Sequence, residues 1–428
     1  MTAFIFPPFE NHGGHLTLDN VDLVDLNEKM GSPLLVVSEK KIRENYRSLD
    51  QAFRKQYSKF AIRYAVKSYA NLAIISILRQ EGAGADCSTP EEIKIANMAG
   101  IPHKLITFTP NNSHKNELEY GIEKGVSLNF DDIPQMRLVK GHLPEVVSFR
   151  VNPGVGGGEF PGIVTAGPKT KFGIPVDVVK GAYKEAMSLG ADKFGMQMMA
   201  GSNALDWHHF DAISKAYFGL AGKISQELEI QFKYLDIGGG FGVPYRKDQE
   251  ELDLESAAGC IVNNLREACS KYGMDEPELI VEPGRSLVSN SAVLLGKVTN
   301  VKSYDKTFVG TDIGMNLLLR PALYGAYHHI VIANALGREP EGEADIVGQI
   351  CESTDKIGND MMFPKAEVGD TIAVFNAGAY VSSMSSNYNG HLRPAEILIG
   401  PQGVSVIRNA ESTSDLVKGM NVPEHLLK

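Results

Sequence analysis

Eight short runs rich in β-branched and apolar residues recur between residues 60 and 283, each followed by turn residues and a helix-like stretch: FAIRYAV (60–66), GADCS (84–88), KLITFT (104–109), VSLNF (126–130), VVSFRVN (146–152), FGMQMM (194–199), YLDIGG (234–239) and LIVEP (279–283). Strands alternating with helices in this number predict an α/β fold of the (β/α)8 TIM-barrel type. TPEEIKIANMAG (89–100) shows how the intervening helices are marked, because Thr89 offers an N-cap oxygen and Gly100 a stop.

After about residue 286 the texture changes to short strand-like runs separated by turns, among them AVLLGKVTNVKS, KTFVGTDI, DTIAVFNAG and VSVIRN. These predict a C-terminal β-sandwich or small β-barrel domain. The first 37 residues also read as strands, ending in PLLVVS, and are too many for a lead-in to the barrel. The expected division is therefore a barrel at 38–285 and a β domain at 1–37 and 286–428.

Composition narrows the function. The 428 residues are 43% hydrophobic and 22% charged, with a formal net charge of −10 and no basic block, which argues against a nucleic-acid binder and for a small-molecule or protein partner. Cys87, Cys260, Cys269 and Cys351 are widely spaced with no CxxC or Cys/His pattern, so neither a disulfide scaffold nor a metal site is indicated. No run approaches a membrane span, and MTAFIFPPFENHGG lacks the features of a signal peptide, so the expectation is a mature cytoplasmic protein.

Barrel enzymes carry functional groups at the C-terminal ends of their strands and often bind phosphate after strands seven and eight. Lys67, in YAVKSYAN (64–71), ends the first strand. DIGGGFG (236–242) ends the seventh, where glycines let backbone N–H groups approach an anion. VEPGRS (281–286) ends the eighth and adds Gly284 and the Arg285 guanidinium. Each has an ordinary structural reading, since a lone strand-end lysine more often reaches to solvent and GGGFG fits a plain turn. Together, a phosphate cradle, an amine and the acidic Glu282 suggest pyridoxal 5′-phosphate, with Lys67 meeting its aldehyde and Glu282 keeping its pyridine nitrogen protonated.

The chain also resembles the fold-type III pyridoxal-phosphate decarboxylases, whose barrel is like that of alanine racemase. The resemblance rests on YAVKSYAN, GADCSTPEE, FRVNPG, TKFG (170–173), DIGGGFGVPY, EPGRSLV, GMNLLLRPALYGAYH (314–328), CESTD (351–355) and GAYVSSMSSNYNGHLRPAE (378–396), spread over nearly the whole chain. It implies that Ser202, Gly239, Gly240, Gly284 and Arg285 surround the phosphate with Tyr380 nearby, and that Asp86 and Arg150 support Lys67. It implies further that Arg285, Arg320, Tyr324, Glu352 and Tyr380 hold a diamino acid, and that Cys351 donates a proton from the neighbouring subunit of a homodimer. The implied reaction is loss of CO2 from meso-2,6-diaminopimelate to give L-lysine, with another diamino acid as the alternative substrate. An ordinary salt bridge for Arg320, a buried small hydrophobe for Cys351 and core packing for Tyr324 and Tyr380 are the plainer readings.

Two stretches depart from the family's pattern. MMAGSN (198–203) places Met199 where a histidine normally stacks on the cofactor ring, which implies a weaker hold on the cofactor or altered reaction partitioning. GVGGGEFPGIVTAGP (154–168) replaces expected histidines and acidic residues with Gly, Phe and Pro, which bears on substrate more than on reaction. A cofactor-free lysine aldolase, an amino-acid racemase and a non-catalytic homologue are the other classes; the first has no use for Glu282, the second needs a tyrosine base, and the third has no use for Lys67.

Overall fold

The computed structural model describes residues 3–154, 167, 170–199 and 201–427. The chain forms two compact units, one of Lys40–Ser289 and one of Met1–Glu39 with Asn290–Lys428.

The first unit is a closed barrel of parallel strands: Phe60–Ala65, Gly84–Cys87, Ile106–Phe108, Ser127–Phe130, Val147–Asn152, Phe194–Met198, Phe232–Asp236 and Glu278–Val281. Closure comes from the eighth strand pairing with the first, Leu279 opposite Phe60 and Val281 opposite Ile62. A two-residue strand, Ile174–Pro175, adds to the fifth. All eight expected runs are strands.

Outward positions such as Ile62, Tyr64, Phe149 and Leu235 are apolar and buried, and each contributes about 1.5–3 kcal/mol of hydrophobic stabilisation. Inward positions are largely polar. Tyr234 donates to Asn129 Oδ1 (2.8 Å), whose amide donates to Thr109 Oγ1 (2.9 Å). Gly195 makes room for this, since a Cβ there would lie 2.5 Å from the Tyr234 ring. The barrel interior is therefore a hydrogen-bonded layer rather than the usual packing of branched aliphatic residues.

The helix Pro90–Met98 forms as its sequence predicts, with Thr89 Oγ1 accepting from Glu92 N–H and Gly100 at φ +91° beyond its end. Trp207–Leu228 packs on Leu254–Tyr272, and Gly222 admits the Tyr272 ring.

The second unit is a nine-stranded mixed sheet with a separate three-stranded sheet. Leu34–Ser38, the expected N-terminal contribution, lies between Ala292–Ser303 (antiparallel) and Ala395–Gly400 (parallel). Its core includes Leu16, Leu34, Val36, Leu295, Phe375 and Ile397. The first 37 residues are not all strand: Leu23–Met30 is a helix. Asp22 caps it through Val24 and Asp25 N–H, and Leu23, Leu26 and Met30 recur at helical spacing, a pattern that overrides the strand reading. Among the described residues no helix is long and apolar enough to cross a membrane.

Candidate active site

Lys67 sits in the turn Val66–Ser68, immediately after the first barrel strand. Its Nζ donates to Asp86 Oδ2 at 2.8 Å; the aspartate side chain is 1% exposed and the lysine 46%. The second strand thus holds a desolvated anion against a half-exposed amine, which gives the ammonium a fixed position.

Glu282 follows the eighth strand and is buried. Gln197 of the sixth strand donates to its Oε2 at 2.9 Å, while Oε1 receives no hydrogen bond from a described N–H or O–H. Burial and then the neighbouring Asp236 carboxylate push the Glu282 carboxyl well above its ordinary range. Burial raises Asp236 as well.

Arg285 opens the short helix Arg285–Val288. Its Nη1 donates to the Tyr245 hydroxyl (2.8 Å) and Nη2 to Ser202 Oγ (3.4 Å), joining the loops that follow strands six, seven and eight. The glycines are what let these loops meet. A Cβ on Gly239 would lie 2.4 Å from the Glu282 carbonyl oxygen, one on Gly240 (φ +101°) 3.2 Å from that of Gly201, and one on Gly284 3.0 Å from Ser68 Cβ. Met199 lies against this run, its thioether accepting from Gly239 N–H at 3.2 Å.

Arg150 has an aromatic and an acidic neighbour. Its guanidinium stands 4.5 Å from the Phe172 ring centroid, and its strongest charge interaction is with Asp131. Burial lowers its pKa. The TKFG stretch thus supplies the aromatic face beneath Arg150, and Gly173 N–H caps Asp131 at 3.1 Å.

In the second unit three loops converge. Cys351 is exposed, not a buried hydrophobe, and Asn389 Nδ2 approaches its Sγ at 2.9 Å. The adjacent Glu352 accepts from the Tyr388 hydroxyl, and that bond holds the phenol proton and raises its pKa. Asp355 ties the CESTD loop to its neighbour by accepting from Met315 and Ile350 N–H. Gly314 and Gly348 are small because a Cβ on either would press on that carboxylate.

Arg320 is 2% exposed and donates to His328 Nε2 at 2.8 Å. Guanidinium only donates, so Nε2 carries the lone pair and Nδ1–H donates to the Phe375 carbonyl at 2.9 Å. Tyr324 ends the helix Leu319–Tyr324, which Gly325 terminates at φ +69°. Tyr380 is half-buried in a turn at φ +58°, a conformation that non-glycine residues rarely adopt.

Sequence reasoning missed Gln197, Asp236, Tyr245, His328, Tyr388 and Asn389. Gln197 and Asp236 lie inside recognised strands, and a polar residue at an inward strand position was the available signal. Of the segment 154–168, singled out for substrate choice, all but Gly154 and Gly167 lies outside the described residues.

Residues 39–289 match the pyridoxal binding domain of the pyridoxal-dependent decarboxylases. The chain belongs to that family. It is 40% identical to the diaminopimelate decarboxylase of Methanothermobacter thermautotrophicus, covering 99% of this chain and 100% of that one. It is 38% identical to the Thermoplasma acidophilum enzyme of the same name over 94% of this chain and 96% of the other. The crystal structure of diaminopimelate decarboxylase from M. jannaschii, 35% identical, superposes with a TM-score of 0.89 over 98% of each chain. A second structure of that protein is a complex with L-lysine.

Proposed function

We propose that the chain removes CO2 from meso-2,6-diaminopimelate to give L-lysine, using pyridoxal 5′-phosphate. The observation that carries this reading is the Lys67–Asp86 pair at a barrel mouth that also holds Glu282 and Arg285, in a chain alike over its full length to diaminopimelate decarboxylases.

The barrel residues fit that cofactor. Lys67 offers a positioned amine for its aldehyde, the buried Glu282 carboxyl suits a protonated pyridine nitrogen, and Arg285 beside Ser202, Gly239, Gly240 and Gly284 suits a phosphate. When bound, pyridoxal phosphate supplies an electron sink for the pair of electrons left on carbon as CO2 departs. Asp86 and Arg150 hold the surrounding charges in place. Arg285 and Arg320 each offer a partner for a substrate carboxylate, Glu352 an acceptor for the distal ammonium, and Tyr324 and Tyr380 phenol groups for the substrate. Cys351 carries the proton to the carbon that lost CO2.

A homodimer with shared sites is part of the proposal, supported by the exposure of the Cys351 thiol in the single chain. A reducing cytoplasm is the proposed setting, supported by four free cysteines.

The test is to purify the protein, record the visible absorbance of bound cofactor, and measure CO2 release from meso-diaminopimelate, lysine and ornithine. Absorbance that is lost in Lys67→Ala, with release from meso-diaminopimelate alone, is the expected result. Release only from lysine or ornithine overturns the substrate; no cofactor absorbance overturns the chemistry.

A further inference from the structure

We propose that Asp236 and Glu282 share a single proton inside the barrel, and that Asp236 is thereby a positioning residue for the carboxyl that meets the cofactor's pyridine nitrogen. The functional half of this statement rests on the reading of Glu282 given above; the shared proton does not.

Three observations converge on it. The two residues are diagonal neighbours on adjacent strands, since Asp236 pairs with Ile280 and Glu282 N–H donates to the Gly238 carbonyl at 2.8 Å. Both are buried, and each has one oxygen already committed: Asp236 Oδ1 to Gly238 N–H (2.8 Å), Glu282 Oε2 to Gln197 Nε2 (2.9 Å). Their other oxygens, Asp236 Oδ2 and Glu282 Oε1, are buried without any described donor, and each carboxyl is among the groups acting on the other. Two ionised carboxylates would repel there, and a proton between them satisfies both orphaned atoms at once.

The charges around the pair agree. Arg63 of the first strand, Lys67 of the following turn, Asp86 of the second strand, Arg150 of the fifth and Tyr234 of the seventh all act on it. Lys67 is matched by Asp86, and Arg150 by Asp131. Arg63 remains as the cation facing the pair, and its only described ion-pair oxygen, on Glu278, is 3.9 Å away. One shared proton leaves the pair with one negative charge, which Arg63 balances.

The pair then titrates as a unit. Burial pushes Asp236 up to about 7 and Glu282 well above its ordinary range, so the stability contributed by the shared proton is fully present below the ordinary carboxylate pKa of about 4 and is lost as pH rises from there through about 7.

The test uses the full-length protein freed of cofactor. Infrared difference spectra between wild type and Asp236→Asn, and between wild type and Glu282→Gln, should each show loss of one protonated-carboxyl C=O band. Either amide donates to the remaining carboxylate and makes the proton unnecessary. Melting temperature should fall as pH rises from about 4 to about 7 in the wild type, and the slope should flatten in both variants. If Asp236→Asn fails to fold, Asp236→Ser takes its place, because a serine hydroxyl can also donate to Glu282 and the band must again be lost. A band that survives in Asp236→Asn but not in Glu282→Gln assigns the proton to Glu282 alone and overturns sharing, as does the absence of any band difference. Cofactor absorbance, measured separately, tests the role of Glu282 without bearing on the proton.

Discussion

In the barrel, Asp86, Asp236 and Glu282 are buried on or just beyond strands, whereas in the β-rich unit Cys351 and Glu352 lie on an exposed loop whose contacts come from another loop, at Tyr388 and Asn389. A side chain set by a β-ladder moves only if the sheet does. One held by a side-chain bond between loops can be reoriented for the loss of about 1 kcal/mol. The barrel half therefore suits the binding and electrostatic holding of a rigid cofactor, and the loop half suits the handling of a flexible substrate and of a proton that must come and go.

The comparison breaks most sharply at the two reactive side chains. Lys67→Ala should abolish the visible absorbance of bound cofactor and lower CO2 release by more than about 1,000-fold. Retained absorbance would remove Lys67 from the proposed site. Cys351→Ala should lower kcat by about 100- to 10,000-fold, the range expected for loss of a positioned proton donor, while leaving the absorbance intact. Loss of absorbance in that variant would mean that the loop half also holds cofactor. Mixing the two inactive chains should restore some activity if sites are shared; none, with subunit exchange verified, counts against the dimer.

Why the barrel and the proposed site residues stood out in the sequence, and their neighbours did not, has a physical reason. Strand runs such as FAIRYAV declare themselves by composition, and Lys67, Glu282 and Arg285 stand out because charge at a strand end is unusual. Gln197 and Asp236 stood inside such runs, and the partners that explain them, Glu282 in both cases, lie 85 residues away for Gln197 and on a neighbouring strand for Asp236. Only closure of the barrel brings them together. Asn389 and Tyr388 had no strand to mark them, and the helix Leu23–Met30 was hidden by the strand-like residues on either side of it.

Asp355→Ala tests whether the loop half is assembled by a few bonds. It strands the Met315 and Ile350 amides, at about 1–3 kcal/mol for each buried donor. The melting temperature and kcat should both fall, with cofactor absorbance unchanged; an unaltered kcat would show that the CESTD loop keeps its geometry by other means. Met199→His, a smaller change on the rigid side, should tighten the cofactor dissociation constant, because a ring nitrogen gives a hydrogen bond that a thioether cannot. If neither that constant nor the ratio of decarboxylation to transamination moves, Met199 is a packing residue beside Gly239 and nothing more.

The smallest effect should come from Tyr388→Phe. The hydroxyl donates to the Glu352 carboxylate on the surface, so the bond competes with water and contributes little to stability. What the bond does is hold Glu352 in one direction. If Glu352 receives the distal ammonium, freeing it should raise KM up to about fivefold, with kcat unchanged. Glu352→Gln, which removes the charge itself, should raise KM further. A kcat effect in Tyr388→Phe would instead tie the tyrosine to the neighbouring Cys351 and its proton, and a KM equal to wild type in both variants would take Glu352 out of substrate binding.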